Sequence, residues 1–230
     1  MILSSHQPNF FPYMGYFYKI AKSDVFVFSD DVKFSNKKTG DMHNYNYIKG
    51  PHGKQKITLP VTHKPEALIK DVHVFYDQKQ IQKILTGVEQ YYGKAPFFDV
   101  VYPDIQQIFR TRFDFLECFN AYAIKLLCNK FGIETRVKYS LGFVSKLKKN
   151  DRLIEMCKFF DADTYLCGTG AAAYIDSSEF ERAGIKLVYS DYSPPVYPQR
   201  YGDFIPNLSV LDWIFNRGYT LPEGWLSWKK

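Results

Sequence analysis

The feature that most restricts the fold is a hydrophobic period that switches between strand and helix spacing, and does so at both ends of the chain. "MILSS" reads as a short buried strand. "YMGYFYKIAKS" then places Met14, Phe17 and Ala21 at helical spacing, and "DVFVFSD" returns to strand period, a β-α-β opening. The C-terminal part repeats the theme with strand "ETRVKYS", helix "DRLIEMCKFF", strand "TYLCG", a helix beginning near Asp176 and strand "IKLVYSDY". Asp176 and Glu179 have capping-box spacing. Strands alternating with helices of this length predict an α/β fold, a mostly parallel sheet covered by helices on both faces through right-handed crossovers.

Between these ends the pattern changes twice. From about 30 to 76 the chain is rich in Gly, Asn and Lys, and "PHGK" sits between two strand-like runs, "NYNYIKG" and "KQKITLPV". This predicts an inserted β-hairpin region that projects from the sheet. A helical segment follows over about 78 to 132. There Phe115, Phe119, Tyr122 and Leu126 are expected to form the core stripe, with Gly132 as the stop. No internal repeat or low-complexity linker divides the chain, so residues 1–230 are read as a single domain. A 46% hydrophobic content supplies a core without staples. The four cysteines, Cys118, Cys128, Cys157 and Cys167, form no C-x-x-C pair and point to a reducing compartment. No basic N-terminal region leads into a long apolar stretch, and no run is long enough to span a membrane. A cytoplasmic location is expected.

A net charge of +6 fits a nucleic-acid partner or small anionic substrates. No basic stripe alternates with aromatics in a recognisable module, which disfavours nucleic acid. Three loops hold the candidate chemistry. His6 and Gln7 follow directly on the first strand, and open α/β sheets bind ligands beyond the carboxyl ends of their strands. Pro8 and Pro12 fix φ and stiffen that loop, holding a histidine that can exchange a proton near neutral pH and an amide that can donate and accept. Phe10 or Phe11, with Phe17, is expected to pack beneath it. In "TYLCGTGAAAYID", Cys167 ends an apolar strand, and Gly168, Thr169 and Gly170 lead into a small-residue segment that runs to Tyr174. Glycines there let backbone N–H groups approach an anion. Position 173 is alanine and no Gly-Lys-Ser/Thr follows, so a phosphate cradle and a plain strand-to-helix turn both remain open. Cys167 is the one thiol placed where a helix N-terminus would lower its pKa. In "NYNYIKG", Asn44 and Asn46 share one strand face, and Lys49 is within reach of a phosphate; an exposed hairpin with polar residues outward is the alternative. His43, His52, His63 and His73 lack metal-ligand spacing, so no metal site is expected.

Six stretches in this order, "HQPNFFPYMGYFYKI" at 6–20, "NYNYIK" with "ITLPV" at 44–61, "YYGKAPFF" at 91–98, "NDRLIEMC" at 150–157, "ADTYLCGTGAAAYID" at 162–176 and "LSVLDWIFNRG" at 208–218, resemble the WbqC-like protein family over almost the whole chain. The resemblance implies a role in glycan or nucleotide-sugar biosynthesis, because members are encoded among genes for O-antigen and other surface-polysaccharide synthesis. Tyr47 stands where the family places a basic residue, and Cys167 and Ala171-Ala172 stand where relatives read Ser-Gly and Gly-Gly. A serine in relatives argues against an obligatory thiol nucleophile, so Cys167 is taken as a small loop residue.

The expected function is therefore a transferase of surface-polysaccharide or nucleotide-sugar biosynthesis, moving an acyl or aminoacyl group to an amino sugar carried on a nucleotide. His6 is the general base, and Gln7 or backbone donors near Gly168 stabilise the oxyanion. Asn44, Asn46, Lys49, Cys167, Gly168, Thr169, Gly170 and Tyr174 bind substrate, with Lys49 on the diphosphate. Such chemistry requires no metal and no resident cofactor. It takes a carrier thioester as co-substrate, so the expected partners are a nucleotide-sugar and an acyl carrier protein or CoA thioester. The alternative keeps the same residues as recognition contacts in a non-catalytic nucleotide-sugar or glycan binding protein that assists a glycosyltransferase.

Overall fold

The computed structural model of the chain describes residues 1–35, 41–140, 143, 145, 147, 149–168, 170 and 175–226. It runs from β1 (Ile2–His6) through α1 (Met14–Ala21) to β2 (Val25–Phe28), then into β3 (Tyr45–Gly50), β4 (Gly53–Thr58), β5 (Val61–Thr62) and β6 (His73–Val74). Three helices follow, α2 (Gln78–Tyr92), α3 (Phe98–Arg110) and α4 (Leu116–Lys130). The α/β pattern resumes with β7 (Arg136–Tyr139), α5 (Lys149–Phe159), β8 (Thr164–Cys167), α6 (Ser177–Arg182) and β9 (Lys186–Tyr189), and α7 (Val210–Arg217) is the last helix described.

Five strands form one all-parallel sheet in the order β7-β2-β1-β8-β9. The period of two in "VFVF" divides the protein into two cores. Val25 and Val27, with Leu3, face a smaller core built on Ile154, Met156 and Cys157 of α5 and Phe180 of α6. Phe26 and Phe28 face the larger one, which α1 to α4 and α7 close. Helices therefore cover both faces, as expected. Asp176 caps α6, accepting from the Ser178 N–H at 2.9 Å rather than from that of Glu179. Gly132 ends α4 at φ +69°, a left-handed turn that glycine adopts without strain.

Two expectations are corrected. The buried positions of α4 are Leu116, Phe119, Asn120, Ala121, Ala123, Ile124, Leu127 and Cys128, whereas Tyr122 and Leu126 of the expected stripe are only partly buried against the core and Phe115 lies off it. Phe115 enters the helix as its N-cap in extended conformation, which leaves its ring against His73 at 4.7 Å and outside the core. The hairpin of β3 and β4 turns at Pro51 and His52 as expected, but β3 does not project. It is almost wholly buried, because α7 packs on it and the Ser209 N–H donates to the Tyr47 carbonyl at 2.8 Å.

The loop after β1 is what these elements enclose. Pro8 to Pro12 are buried, and Phe11 adopts φ +40°, a conformation that costs a non-glycine residue energy. Buried carbonyls need donors, and distant side chains supply them. Asn120 Nδ2 donates to the Pro8 carbonyl at 2.8 Å, and Asn46 Nδ2 to those of Phe10 and Phe11 at 3.1 and 2.8 Å. Ser209 Oγ reaches the Phe11 carbonyl at 2.8 Å, and the Val210 N–H reaches Pro12 at 3.0 Å. Phe10, Phe11 and Phe17 are fully buried, the first two in contact with the rings of Phe109 and Phe119. Removing a donor strands a buried carbonyl, so Asn46→Ala and Asn120→Ala should each lower unfolding free energy by roughly 1–3 kcal/mol in urea titrations. A loss within experimental error for both would contradict this account of the loop.

Candidate active site

Counting along the chain, the strands of the large sheet stand in the order third, second, first, fourth, fifth. The chain leaves β1 in one direction toward β2 and β7, and α5 then returns it to the other side as β8. Strand order reverses between β1 and β8, and this is where doubly wound sheets open a ligand crevice beyond their carboxyl ends. β1 pairs with β2 through to His6 and Phe28, and β8 with β9 through to Cys167 and Tyr189. β1 and β8 pair only at Ile2 with Thr164 and Leu3 with Tyr165. Beyond that point the two central strands part.

The cleft there measures about 680 Å³, within the range of small-ligand sites. His6, Gln7, Cys167, Gly168 and Gly170 line it, together with Lys19, Lys149, Arg152 and Tyr192. The structure thus brings the first two candidate loops together. The hairpin residues are elsewhere. Asn44 is buried and donates to the Leu59 carbonyl at 3.0 Å, and Asn46 holds the proline loop. Lys49, 1% exposed, donates to Gln199 Oε1 and the Gly202 carbonyl, each at 3.2 Å, and to the Asp203 carbonyl. These three side chains are committed to internal partners and do not line the cleft. Thr169 and Tyr174 lie outside the described residues.

Local bonding sets the chemistry of His6. Its Nδ1 lies 3.1 Å from the Gln7 carbonyl, which can only accept, so Nδ1 holds the proton and Nε2 is left with the lone pair. Tyr16 fixes the ring further, lying edge-on at 5.0 Å while its hydroxyl donates to the same Gln7 carbonyl at 3.0 Å. Burial first, then the Lys19 charge, lowers the imidazole pKa to about 4. His6 is neutral at physiological pH.

Lys19 comes from the buried helix α1 and is 8% exposed. Its Nζ donates to the Ser5 carbonyl at 2.9 Å. The Asp24 and Ser29 N–H groups bond the Ile2 and His6 carbonyls on the β2 side, so Ser5 points the other way, toward β8. The parted strands offer it no ladder partner there, and Lys19 fills the gap. Burial lowers the Lys19 pKa to about 8, which leaves it a cation at neutral pH. Arg152 also lines the cleft, paired with Asp31 at 2.6 Å. Cys167 is 3% exposed. Burial raises its pKa against weaker opposing pulls from Lys19 and the Gly168 N–H, so it is held as a thiol, a poor nucleophile.

Sequence reasoning missed Lys19, Lys149, Arg152 and Tyr192. One signal was present for Lys19: it is the lone charge in the otherwise apolar helix "MGYFYKIA". Among the described residues no group of three His, Cys, Asp or Glu side chains is placed to hold a metal ion, and no helix is long and apolar enough to cross a membrane.

A family model described as the WbqC-like protein family matches residues 7–222. The chain is also similar to an uncharacterized protein of Mycobacterium tuberculosis, Rv1507c, with 30% identity over 220 residues that cover 94% of each chain. No solved structure matches it.

The depressed pKa of His6 makes a pH prediction with a definite sign. The unfolded chain binds its proton near pH 6.5 and the folded chain near 4, so the stability contributed by neutral His6 is present above 6.5 and lost as pH falls to 4. His43 shifts in the same direction, so the comparison must isolate His6. His6→Asn, which keeps an amide donor near the Gln7 carbonyl, should reduce the stability lost between pH 6.5 and 4 by on the order of 2–3 kcal/mol. An acid limb unchanged from wild type in chemical denaturation would refute the buried neutral histidine.

Proposed function

The chain belongs to the WbqC-like protein family, and on that premise we propose that it is a transferase of surface-polysaccharide or nucleotide-sugar biosynthesis that moves an acyl or aminoacyl group from a carrier thioester to the amine of a nucleotide-linked amino sugar. The observation that supports this most is His6, a neutral imidazole whose Nδ1–H is tied to the Gln7 carbonyl and whose Nε2 has no hydrogen-bond partner among the described residues. In the proposed reaction the amine nitrogen attacks the thioester carbonyl, a C–N bond forms, and an oxyanion develops. In this reading Gln7 and backbone donors near Gly168 stabilise that charge. The attacking nitrogen then bears an acidic N–H, which a weak base such as His6 can remove. Collapse breaks the C–S bond, and the proton passes from Nε2 to the departing thiolate. The Lys19 charge supports the first step too, since it disfavours a second ammonium nearby and so keeps the sugar amine neutral.

A second reading, a nucleotide-sugar or glycan binding protein that assists a glycosyltransferase, draws on the same low proton affinity of His6, which suits Nε2 as a hydrogen-bond acceptor for a sugar hydroxyl. Kinetics separate the two. With an amino-sugar nucleotide and an acyl thioester as substrates, His6→Ala should lower turnover by about 10²–10⁴-fold while ligand affinity changes only a few-fold. Loss of affinity, with no turnover from wild type on any thioester, would favour the binding protein. Pro8→Ala should cost roughly 0.4–1 kcal/mol of stability. It should slow turnover far more, since misplacing a catalytic group by about 1 Å costs on the order of a hundredfold. A Pro8→Ala enzyme with unchanged turnover would show that loop stiffness does not position His6.

A further inference from the structure

Lys19 is a buried cation with one described partner, a neutral carbonyl, although its ammonium has three N–H donors. Among the described residues no carboxylate lies within ion-pair distance of it. Capping the Ser5 carbonyl needs only a neutral donor, so that role does not explain a charge buried at the reversal of strand order. Two further basic side chains line the same cleft, Lys149 and Arg152, the latter with N–H donors to spare beside its pair with Asp31. Gly168 and Gly170 line the cleft too; neither has a positive φ, and among the described residues a Cβ built on either meets nothing within 4 Å. Among the described residues neither backbone conformation nor packing accounts for these glycines, whereas close approach of a ligand to the backbone would.

We propose that the crevice between β1 and β8 is a diphosphate site, in which Lys19 holds the anion from within, Lys149 and Arg152 hold it from the mouth, and Gly168 and Gly170 leave room for it beside the backbone. This deepens the transferase reading, in which the substrate is nucleotide-linked, and it moves the diphosphate from Lys49 to Lys19. The anion supplies the counter-charge that the fold withholds from Lys19 and so offsets the desolvation that lowers its pKa to about 8. With the diphosphate there, the rest of the ligand lies along a cleft whose wall includes His6 and Tyr192.

The test is equilibrium binding by calorimetry, which requires no turnover. Inorganic pyrophosphate and uridine diphosphate are the principal probes, and 4′-phosphopantetheine, a phosphate monoester, tests whether the anion belongs to the thioester carrier instead. Wild type should bind both diphosphates and bind the monoester at least tenfold more weakly. Lys19→Met, which removes the buried charge at similar volume, should weaken diphosphate binding at least thirtyfold with the protein still folded. Lys149→Ala, an exposed position that safeguards the test if the first variant fails to fold, should weaken binding three- to tenfold. Lys49→Met should leave the affinity of its folded fraction unchanged. Wild type that binds neither diphosphate, or Lys19→Met and Lys149→Ala that both bind within twofold of wild type, would overturn the proposal, as would preference for the monoester. Diphosphate binding lost in Lys19→Met, with turnover untouched in His6→Ala, would uphold this site and reject the catalytic reading.

Discussion

A buried stretch of backbone, Pro8 to Pro12, has to find a donor for each of its enclosed carbonyls, and much of the remaining structure is arranged to supply them. A carbonyl buried without a partner costs roughly 1–3 kcal/mol. The prolines deepen the requirement, since they leave the loop fewer N–H groups with which to satisfy itself. Asn46 from β3, Asn120 from α4 and Ser209 at the start of α7 converge on the loop from three directions. Behind them a second buried network links Tyr92, Lys49, Asp212 and Tyr197. The Lys49 N–H donates to the Tyr92 hydroxyl at 3.0 Å, and both tyrosines donate to the Asp212 carboxylate at 2.6 Å. Hairpin, helical segment and C-terminal helix are thereby fixed around one strand end, and His6 is fixed with them.

Topology and electrostatics then act on the same spot. The sheet reverses order between β1 and β8, the strands part, and the Ser5 carbonyl, left without a ladder partner, takes Lys19 as its donor. That places a cation beside His6. Burial and the cation both disfavour imidazolium, so the ring stays neutral and its tautomer is set by the Gln7 carbonyl. One side chain, a lysine filling the gap between parted strands, thus puts a charge in the cleft and contributes to the protonation state of its histidine.

The sheet was legible from the sequence because "VFVF" and its counterparts obey a local period that survives folding. The meeting of His6 with Gly168 was legible too, since both follow strands and crossover rules bring strand ends to one edge of the sheet. The role of the hairpin was not. Asn44, Asn46 and Lys49 read as substrate contacts, with an outward-facing hairpin as the alternative, because polarity is a local property. Their actual partners, carbonyls at Leu59, Phe10, Phe11, Gly202 and Asp203, are tertiary and carry no sequence signal. Asn120 hides within an apolar helix for the same reason. The α4 face was misjudged by one position because Phe115 serves as a cap, which hydrophobic spacing does not reveal. Lys19 was overlooked because helical period marks a lysine as solvent-facing, whereas α1 is buried all round.

The central claim is that the loop presents His6 to the crevice as a neutral imidazole protonated on Nδ1. Long-range ¹⁵N–¹H correlation spectra of histidine-labelled protein, assigned with His6→Asn, read that state directly. The account predicts a protonated, pyrrole-type Nδ1 and a lone-pair-bearing, pyridine-type Nε2 at pH 7, with no change until pH approaches 4. A proton on Nε2, or a midpoint near the 6.5 of a free imidazole, would contradict it.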